Sequence, residues 1–371
     1  MKIIVGIKLK NSMLKQTLFL AFTITFLSCK NDTKNSGKVI NDIITNDTNS
    51  SVKNIEDRLF PKVKDLSQYP KTEFITTLES KINNNNNNVY CVTMLYAWNE
   101  IKNKINQPFQ IDSNFKHLTL LNYSTSFKDV LNTDEYIISS EIDGQNIRAK
   151  AKFNKYLPFQ TELNGYKDRL KFNNEKVLSF GITGYDSHDK LKIVSILYYK
   201  NDNNFVIKLH PKDTNHEIIL FKSEKKCDKM SDINSEIIKL TIQGKEDKQN
   251  ENINWKYGIL EEDEIIIPKF NFNIETIYKD LAGNTFNVKD QSYIIEKAWQ
   301  RTAFILDEKG AEVESEAEFA VATEEMAEEV NQPKPKKMIF DKPFFIMLKK
   351  TKSQNPYFGL WVANTELMSK N

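Results

Sequence analysis

The sequence of 371 residues is poor in the residue types from which many active sites are built. It has four histidines, His117, His188, His210 and His216, and none stands in a spacing such as HExxH that binds zinc. It also lacks the glycine-rich motifs that bind nucleoside phosphates and dinucleotides. We therefore expect no metal, no cofactor and no enzymatic activity.

Neither sign of charge dominates the sequence. It has 52 Lys and Arg against 50 Asp and Glu, which gives a formal net charge of +2. Proteins that bind nucleic acid normally carry a strong basic excess, so we expect no nucleic-acid partner. The fractions of hydrophobic and aromatic residues, 40% and 11%, are typical of a folded protein.

Cysteine is scarce as well, with Cys29, Cys91 and Cys227. Cys29 belongs to the N-terminal signal described next, which leaves one possible pair. Cys91 and Cys227 are either joined in an oxidising compartment or are two separate thiols, and the sequence leaves both alternatives open.

The N-terminal region has the pattern of a targeting signal. Lys15 lies two residues after Met13, residues 17–27 form an apolar stretch, and Ser28 stands directly before Cys29. The stretch is too short for a permanent transmembrane helix, so we predict a signal peptide over residues 1–28. The Ser-Cys end resembles the lipobox of bacterial lipoproteins, which implies lipidation of Cys29. The alternative is an ordinary cleaved signal with an incidental cysteine.

Two features surround this signal. It is complete from Met13, which makes the first twelve residues candidates for a misassigned start. After Cys29, residues 29–54 are polar and free of aromatic side chains, and we predict a tether that bears a folded body over residues 55–371. Residues 30–32 resemble short export signals of surface lipoproteins. We expect an outer-membrane or cell-surface lipoprotein whose body lies outside the cytoplasm.

Hydrophobic periodicity predicts an α+β fold. Residues 89–105 have helical spacing after an asparagine-rich loop at 83–88, and residues 273–281 suggest a second, short helix. Strands are expected in the later part, with Pro268 at a strand end or edge. The predicted strand regions are residues 135–153, 191–200, 205–210, 217–222, 236–242 and 264–270. Helices that come before strands favour an α+β domain over a repeated βαβ unit.

Four segments of the last third, in order, resemble the C-terminal half of the serpin family. They are IIIPKF at residues 265–270, QRTAFILDEKG at 300–310, FDKPFFI at 340–346, and Tyr357, Phe358 and Gly359 followed by Val362 and Asn364. A long polar segment separates the second from the third. The order and this spacing are specific, whereas each motif alone is weak.

The resemblance implies a serpin-like α+β fold. N-terminal helices would accompany a large central β-sheet, and C-terminal strands would bracket an exposed reactive-centre-like loop at residues 310–339. It also implies a monomeric inhibitor whose partner is a serine or cysteine endopeptidase that cleaves this loop. The alternatives are a non-inhibitory serpin-fold envelope lipoprotein that binds a partner or ligand, and an envelope lipoprotein of unrelated α+β fold. The N-terminal half is short for the family, so we expect reduced helices there.

In an inhibitory serpin the cut loop inserts as a new strand, which requires one face of small or apolar residues. The resemblance assigns the hinge to Glu308, Lys309, Gly310, Ala311, Val313, Ser315 and Ala317. The last four of these would form the inserting face, continued by Phe319 and Val321. The other face begins with glutamates at positions 312, 314, 316 and 318.

Two properties of this loop stay open at the level of sequence. Its alanines and glutamates also suit an acidic amphipathic helix or a flexible acidic loop. Counting from Gly310 as in the family places the cleaved bond at Glu324–Glu325, and the extra length of the loop makes Met326–Ala327 the alternative.

Overall fold

In a computed structural model of the chain, the structure describes residues 2–9, 60–143, 146–311 and 334–370. Cys29, the tether and residues 312–333 of the loop lie outside the described residues. Among the described residues, no helix is both long and apolar enough to cross a membrane.

The described helices are α1 (Thr93–Ile105), α2 (Lys116–Tyr123), α3 (His188–Leu191) and α4 (Met230–Asp247). The strands before α4 are β1 (Lys2–Leu9), β2 (Lys64–Asp65), β3 (Thr72–Ile75), β4 (Asn87–Cys91), β5 (Gln110–Ile111), β6 (Ile137–Asp143), β7 (Asn146–Lys152), β8 (Leu157–Pro158), β9 (Asn164–Phe172), β10 (Glu175–Thr183), β11 (Val194–Asn201), β12 (Asn204–Leu209) and β13 (His216–Lys222). Those after α4 are β14 (Glu264–Pro268), β15 (Phe270–Ile277), β16 (Thr285–Val288), β17 (Gln291–Leu306), β18 (Gly310–Ala311), β19 (Lys337–Ile339), β20 (Phe344–Lys350) and β21 (Phe358–Val362).

The strands of the described residues assemble into three main sheets and one short pair. The large sheet has the order β2-β15-β17-β1-β7-β6, with β16 and β5 attached to one end of β17. A seven-stranded sheet has the order β11-β12-β13-β20-β21-β4-β3, and a four-stranded sheet has the order β19-β14-β10-β9. The short pair is β18 with β8. The α+β class is confirmed.

The seven-stranded sheet provides the most deeply buried strands. Every residue of β21 is buried, and six of the seven residues of β20 are buried. Strands covered on both faces read as continuous apolar runs, and FFIML in β20 has this character. Phe358 stacks on Phe304 of β17 with 4.6 Å between ring centroids, so this sheet packs beneath the large sheet.

The strand predictions for residues 135–153, 191–200, 205–210 and 217–222 are confirmed, and β14 ends at Pro268 as expected. Two other predictions are wrong. Residues 236–242 lie inside α4, because Ile233, Ile237 and Leu240 recur at helical spacing and are buried. Residues 273–281 begin inside β15, whose buried positions fall mainly at every second residue, as on a strand.

The loop predicted for the asparagine run at residues 83–88 is confirmed for residues 83–86 and is wrong for the last two residues. Its last two residues open β4, and α1 starts only at Thr93. Asn87 is fully buried, and its side-chain oxygen accepts hydrogen bonds from the backbone N–H groups of Ala363 (2.9 Å) and Asn364 (3.1 Å). These bonds satisfy a polar side chain inside the core, so composition alone gave the wrong assignment.

Candidate functional site: a slot beside the loop hinge

The hinge begins where β17 ends at Leu306. Asp307 and Gly310 exchange backbone hydrogen bonds of 3.1 and 3.3 Å, and the N–H of Lys309 donates to Asp307 Oδ1 at 3.0 Å. Gly310 has a φ of 94°, in the left-handed region that favours glycine. The sequence DEKG therefore makes a tight reversal that sends the chain back alongside β17.

The reversed chain pairs with β8 on its other side. Gly310 and Ala311 lie opposite Pro158 and Leu157 in antiparallel register. A Cβ atom on Gly310 would lie 2.5 Å from the backbone nitrogen of Phe159, so the site has no room for a side chain. Glu308 forms an ion pair with Lys269, and its carbonyl accepts from the N–H of Leu163 at 2.8 Å.

The hinge thus enters a strand position that lies between β17 on one side and β7 with β8 on the other. We call this position the slot. Both β17 and β7 pair antiparallel with β1, so they run parallel to each other. Strand β18 occupies one end of the slot, and β1 occupies the other.

The two occupants share one register. On one edge Ala311 pairs with Leu157 and Lys2 with Lys152, which leaves positions 153–156 between them. On the other edge Gly310 pairs with Asp307, which sets Ala311 opposite Leu306. Ile3 pairs with Gln300, which sets Lys2 opposite Arg301. Residues 302–305 of β17 therefore lie between the two. Among the described strands, neither β18 nor β1 reaches these four positions of each edge, which we call the open positions.

A cavity of about 220 Å³ lies at these open positions. The phenol of Tyr357 forms part of its floor, and the Tyr357 hydroxyl is buried with no hydrogen-bond partner among the described residues. Burial raises the pKa of this phenol, which stays neutral. The cavity is lined by Phe60, Phe153, Asn154, Lys155, Arg301, Ala303, Phe304, Ile305, Leu348, Tyr357 and Phe358.

A charged cluster fixes one wall of the cavity. Lys155 forms an ion pair with Glu135, and His216 Nε2 lies 2.8 Å from Glu135 Oε1. Burial acts to raise the pKa of Glu135, but the hydrogen bonds from Lys155, the backbone of Asn132 and His216 outweigh it and lower this pKa to about 2. Burial, together with the nearby Lys155 charge, lowers the pKa of His216. The cluster holds Lys155 in place beside the open positions.

The distal end of the loop is attached in a different way. Lys336 is completely buried, and its ammonium lies 2.5 Å from Asp263 Oδ2 while its backbone N–H donates to Asp263 Oδ1 at 2.7 Å. Strand β19, which follows, pairs in parallel with β14. The chain is therefore bound firmly into the four-stranded sheet where it leaves the loop.

With this geometry described, the chain can be compared with known proteins. No protein-family model matches the sequence, and no curated protein matches it. Among solved structures the chain is similar to serpins. The thermophilic serpin tengpin in its native state matches at 13% identity over 68% of this chain and 64% of tengpin, with a TM-score of 0.35. Serpin48 from the insect Tenebrio molitor matches at 14% identity over 58% and 54%, with a TM-score of 0.32.

A complex of thyroxine-binding globulin with thyroxine also matches, at 14% identity and a TM-score of 0.31. The match spans 58% of this chain and 55% of that protein. The chain thus spans between about half and two thirds of the length of these structures. Similarity at this level carries no argument about activity, which depends on the contacts of the slot.

The structure brings Glu308, Lys309, Gly310 and Ala311 together at the mouth of the slot. The other predicted site residues lie outside the described residues, namely Cys29, Val313, Ser315, Ala317, Glu324, Glu325, Met326 and Ala327. Cys91 and Cys227 are thiols and not a disulfide. Burial raises the pKa of Cys91 to about 11, so its thiol is not a nucleophile at neutral pH.

Sequence reasoning missed three parts of the site. They are the position of β1 in the slot, the cavity, and the buried pair of Lys336 with Asp263. One signal was available, since Lys2–Leu9 reads KIIVGIKL and has apolar residues at positions 3, 5, 7 and 9. This alternation is typical of a strand with one buried face.

Proposed function

We propose that the protein is a lipid-anchored, serpin-like inhibitor of a serine or cysteine endopeptidase, and that it acts by cleavage and insertion of the loop at residues 310–339. The observation that carries this proposal is the hinge. Gly310 pairs on both sides, with Asp307 and with Pro158, at the mouth of an open cavity in the sheet. Cleavage after the hinge would free the chain to continue along the slot.

The register of the hinge supports insertion. Continued along the slot, it would set Val313, Ser315 and Ala317 opposite Phe304, Thr302 and Gln300 of β17, which are all buried. These are the positions that the sequence assigned to the inserting face. Small buried side chains at Ala149 and Ala151 on the other edge leave room for that face.

The outer face of the inserted strand would gain favourable charge pairs. In the same register, Glu316 falls opposite Lys152 on one edge and Arg301 on the other, and Glu318 falls opposite Lys150. Opposite charges on neighbouring strands contribute roughly 0.2–1 kcal/mol per pair. The glutamates that repel one another in a free loop would therefore be partly compensated in the slot.

Envelope localisation is part of the proposal and rests on the sequence. A lipid on Cys29 and a polar tether would place the folded body on the outer membrane or cell surface, outside the cytoplasm. There the protein would shield the envelope from host or competitor proteases, or from secreted proteases of the same cell.

The direct test is a covalent complex. The processed chain, cleaved before Cys29, is purified and incubated with glutamyl, chymotrypsin-like and elastase-like proteases, and an SDS-stable complex is sought by gel electrophoresis and mass spectrometry. A glutamyl enzyme should act at Glu324–Glu325, and a chymotrypsin-like or elastase-like enzyme at Met326–Ala327. Cleavage within residues 318–333 without a complex and without a rise in melting temperature would contradict the proposal.

A matched pair of variants tests the insertion step. Val313→Asp introduces a carboxylate on the face that must be buried, where an unpaired charge is strongly unfavourable. Glu314→Asp introduces the same residue on the outer face. The first variant should behave as a substrate and the second as an inhibitor, measured as the number of inhibitor molecules consumed per protease molecule. Equal values for the two would count against insertion.

One observation favours a second function, the binding of a small ligand by a non-inhibitory protein. The cavity has mainly apolar walls and the buried hydroxyl of Tyr357, which has no partner in the described part of the chain, and this suits an apolar molecule with a single polar group. Native mass spectrometry of the purified chain would detect such a ligand, and Tyr357→Phe should weaken its binding. A purified chain that carries no ligand and forms the covalent complex with a protease would support the inhibitory function alone.

A further inference from the structure

Strand β1 lies in the middle of the large sheet and not at its edge. Residues 3–9 pair with β17, with a register shift between Gly6 and Ile7, and residues 2–7 pair with β7. In the described residues, β17 and β7 are linked within the sheet only through β1. The strand therefore occupies a site that two separate edges form between them.

We propose that the slot is a binding site for an extended peptide strand, and that its occupant in the full chain is the segment Lys2–Leu9. Cleavage before Cys29, which the sequence predicts, would remove this occupant and vacate the slot. The occupancy rests on the backbone pairing alone. Its consequence for the loop rests on the proposed function.

The edges define the chemistry of the strand that fits. Alternate positions of β1 pair with buried residues, since Ile3 lies opposite Ala151 and Gln300, and Val5 lies opposite Ala149 and Ala298. Three of these four buried partners are alanines, which favours a branched apolar residue at every second position of the occupant. Since the two edges run parallel, an occupant antiparallel to one is antiparallel to both.

Strand β1 and the loop compete for the same positions. Ile3 pairs with Ala151 and Gln300, and these are the residues that position 317 of an inserting loop would meet in the register of the hinge. While β1 is in place, only the four open positions at the cavity remain. A chain that keeps residues 2–9 would therefore be a precursor that cannot complete insertion, and processing would release this block.

The placement is tested first by a pair of variants in the full chain. Val5→Asp sets a carboxylate at a position paired with two buried alanines, whereas Ile4→Asp sets it opposite Lys150 and Trp299, which are only partly buried. Backbone amide exchange at residues 147–152 and 293–300 should become about tenfold faster or more in the first variant, and change little in the second. If the loop enters the vacated slot of the Val5→Asp chain, amide exchange at residues 312–323 should become slower in that variant.

A synthetic peptide with the sequence of residues 2–9 then serves as the probe. Added to the Val5→Asp chain, it should restore the slow exchange at residues 147–152, while the same peptide carrying the Val5→Asp change should not. Unchanged exchange in both variants, or no effect of the peptide on a vacated slot, would overturn the proposal. These measurements use no protease, so their outcome does not depend on whether the protein inhibits one.

A crosslink tests the placement of β1 if Val5→Asp unfolds the protein. Such unfolding would be recognised by fast amide exchange in β20 and β21. Ile4→Cys and Lys150→Cys are combined in a chain with Cys29→Ser, Cys91→Ala and Cys227→Ser. Because the two positions are paired, mild oxidation should join them, whereas Ile4→Cys with Arg169→Cys on β9 should stay reduced. Failure of the first pair to crosslink would overturn the assignment of the occupant.

Discussion

The two ends of the loop are attached to the body in opposite ways. The proximal end, at Gly310, is held by backbone pairs on both sides and by a partly exposed ion pair between Lys269 and Glu308, and it faces an open cavity. The distal end is held by Lys336, whose side chain is completely buried against Asp263. One end adjoins open strand positions, and the other is anchored in the core.

This difference indicates which end of the loop is built to move. A strand that advances along the slot exchanges its backbone hydrogen bonds for equivalent bonds with the next residues of the two edges. Movement at the proximal end therefore costs little free energy. Withdrawing Lys336 would leave two buried charges without partners, which is strongly unfavourable. A cut between the two ends would therefore free the proximal segment and leave the distal segment in place.

The largest expected effect is at the distal anchor. Lys336→Met removes one partner of a completely buried ion pair, and breaking such a pair costs about 3–5 kcal/mol of unfolding free energy. Lys337→Met is the matched control, because Lys337 pairs with Glu264 at 3.3 Å with its side chain half exposed, where such pairs contribute about 1 kcal/mol or less. Urea denaturation compares the two, and similar losses would contradict the asymmetry between the loop ends.

A smaller effect is expected at the proximal hinge. Gly310→Ala combines a left-handed backbone with a contact of 2.5 Å to Phe159, whereas Gly283→Ala has a similar φ of 84° with no described residue within 4 Å of its new Cβ atom. The control therefore isolates the backbone strain, about 1 kcal/mol for a residue with a Cβ atom. Gly310→Ala should be less stable than Gly283→Ala in thermal denaturation and should speed amide exchange at Leu157 and Phe159. Equal melting temperatures of the two variants would show that the contacts around Gly310 do not constrain the backbone of the hinge.

The sequence predicted the parts of the fold that depend on local periodicity. Alternating apolar residues correctly marked β11, β12 and β13, and the motif QRTAFILDEKG located both the end of β17 and the turn at Gly310. These features depend on neighbouring residues, which a sequence displays directly. The prediction failed where long-range contacts decide, as at Asn87, whose burial depends on hydrogen bonds to Ala363 and Asn364.

The candidate site shows the same limit. The hinge residues Glu308 to Gly310 were identified from the motif, but the slot is formed by segments that are far apart in the sequence. Neither the pairing of Lys2–Leu9 with β17 and β7 nor the burial of Lys336 beside Asp263 can be read from local spacing. A lysine in a polar segment is ordinarily exposed, and only the fold reveals its partner.

The smallest expected effect concerns the wall of the cavity, and it is a dependence on pH. The folded state lowers the pKa of Glu135 from an ordinary 4.5 to about 2, so the unfolded chain takes up this proton first. The stabilisation from Glu135 is therefore complete above pH 4.5 and is lost as the pH falls toward 2. His216 acts in the same direction, because its lowered pKa makes protonation favour the unfolded chain as the pH falls below about 6.5.

Glu135→Gln removes the acidic part of this dependence. The variant should be less stable than the wild type at pH 6, and the difference should shrink between pH 4.5 and pH 3 as the unfolded wild-type chain takes up the proton of Glu135. Glu162→Gln removes the same charge at an exposed position and should leave the pH profile of the urea midpoint unchanged. A constant difference between Glu135→Gln and the wild type over this range would mean that Lys155 is held by other contacts. The stability of the cavity wall would then not depend on acid. The charges beside the proximal end of the loop would not make that end easier to open at low pH.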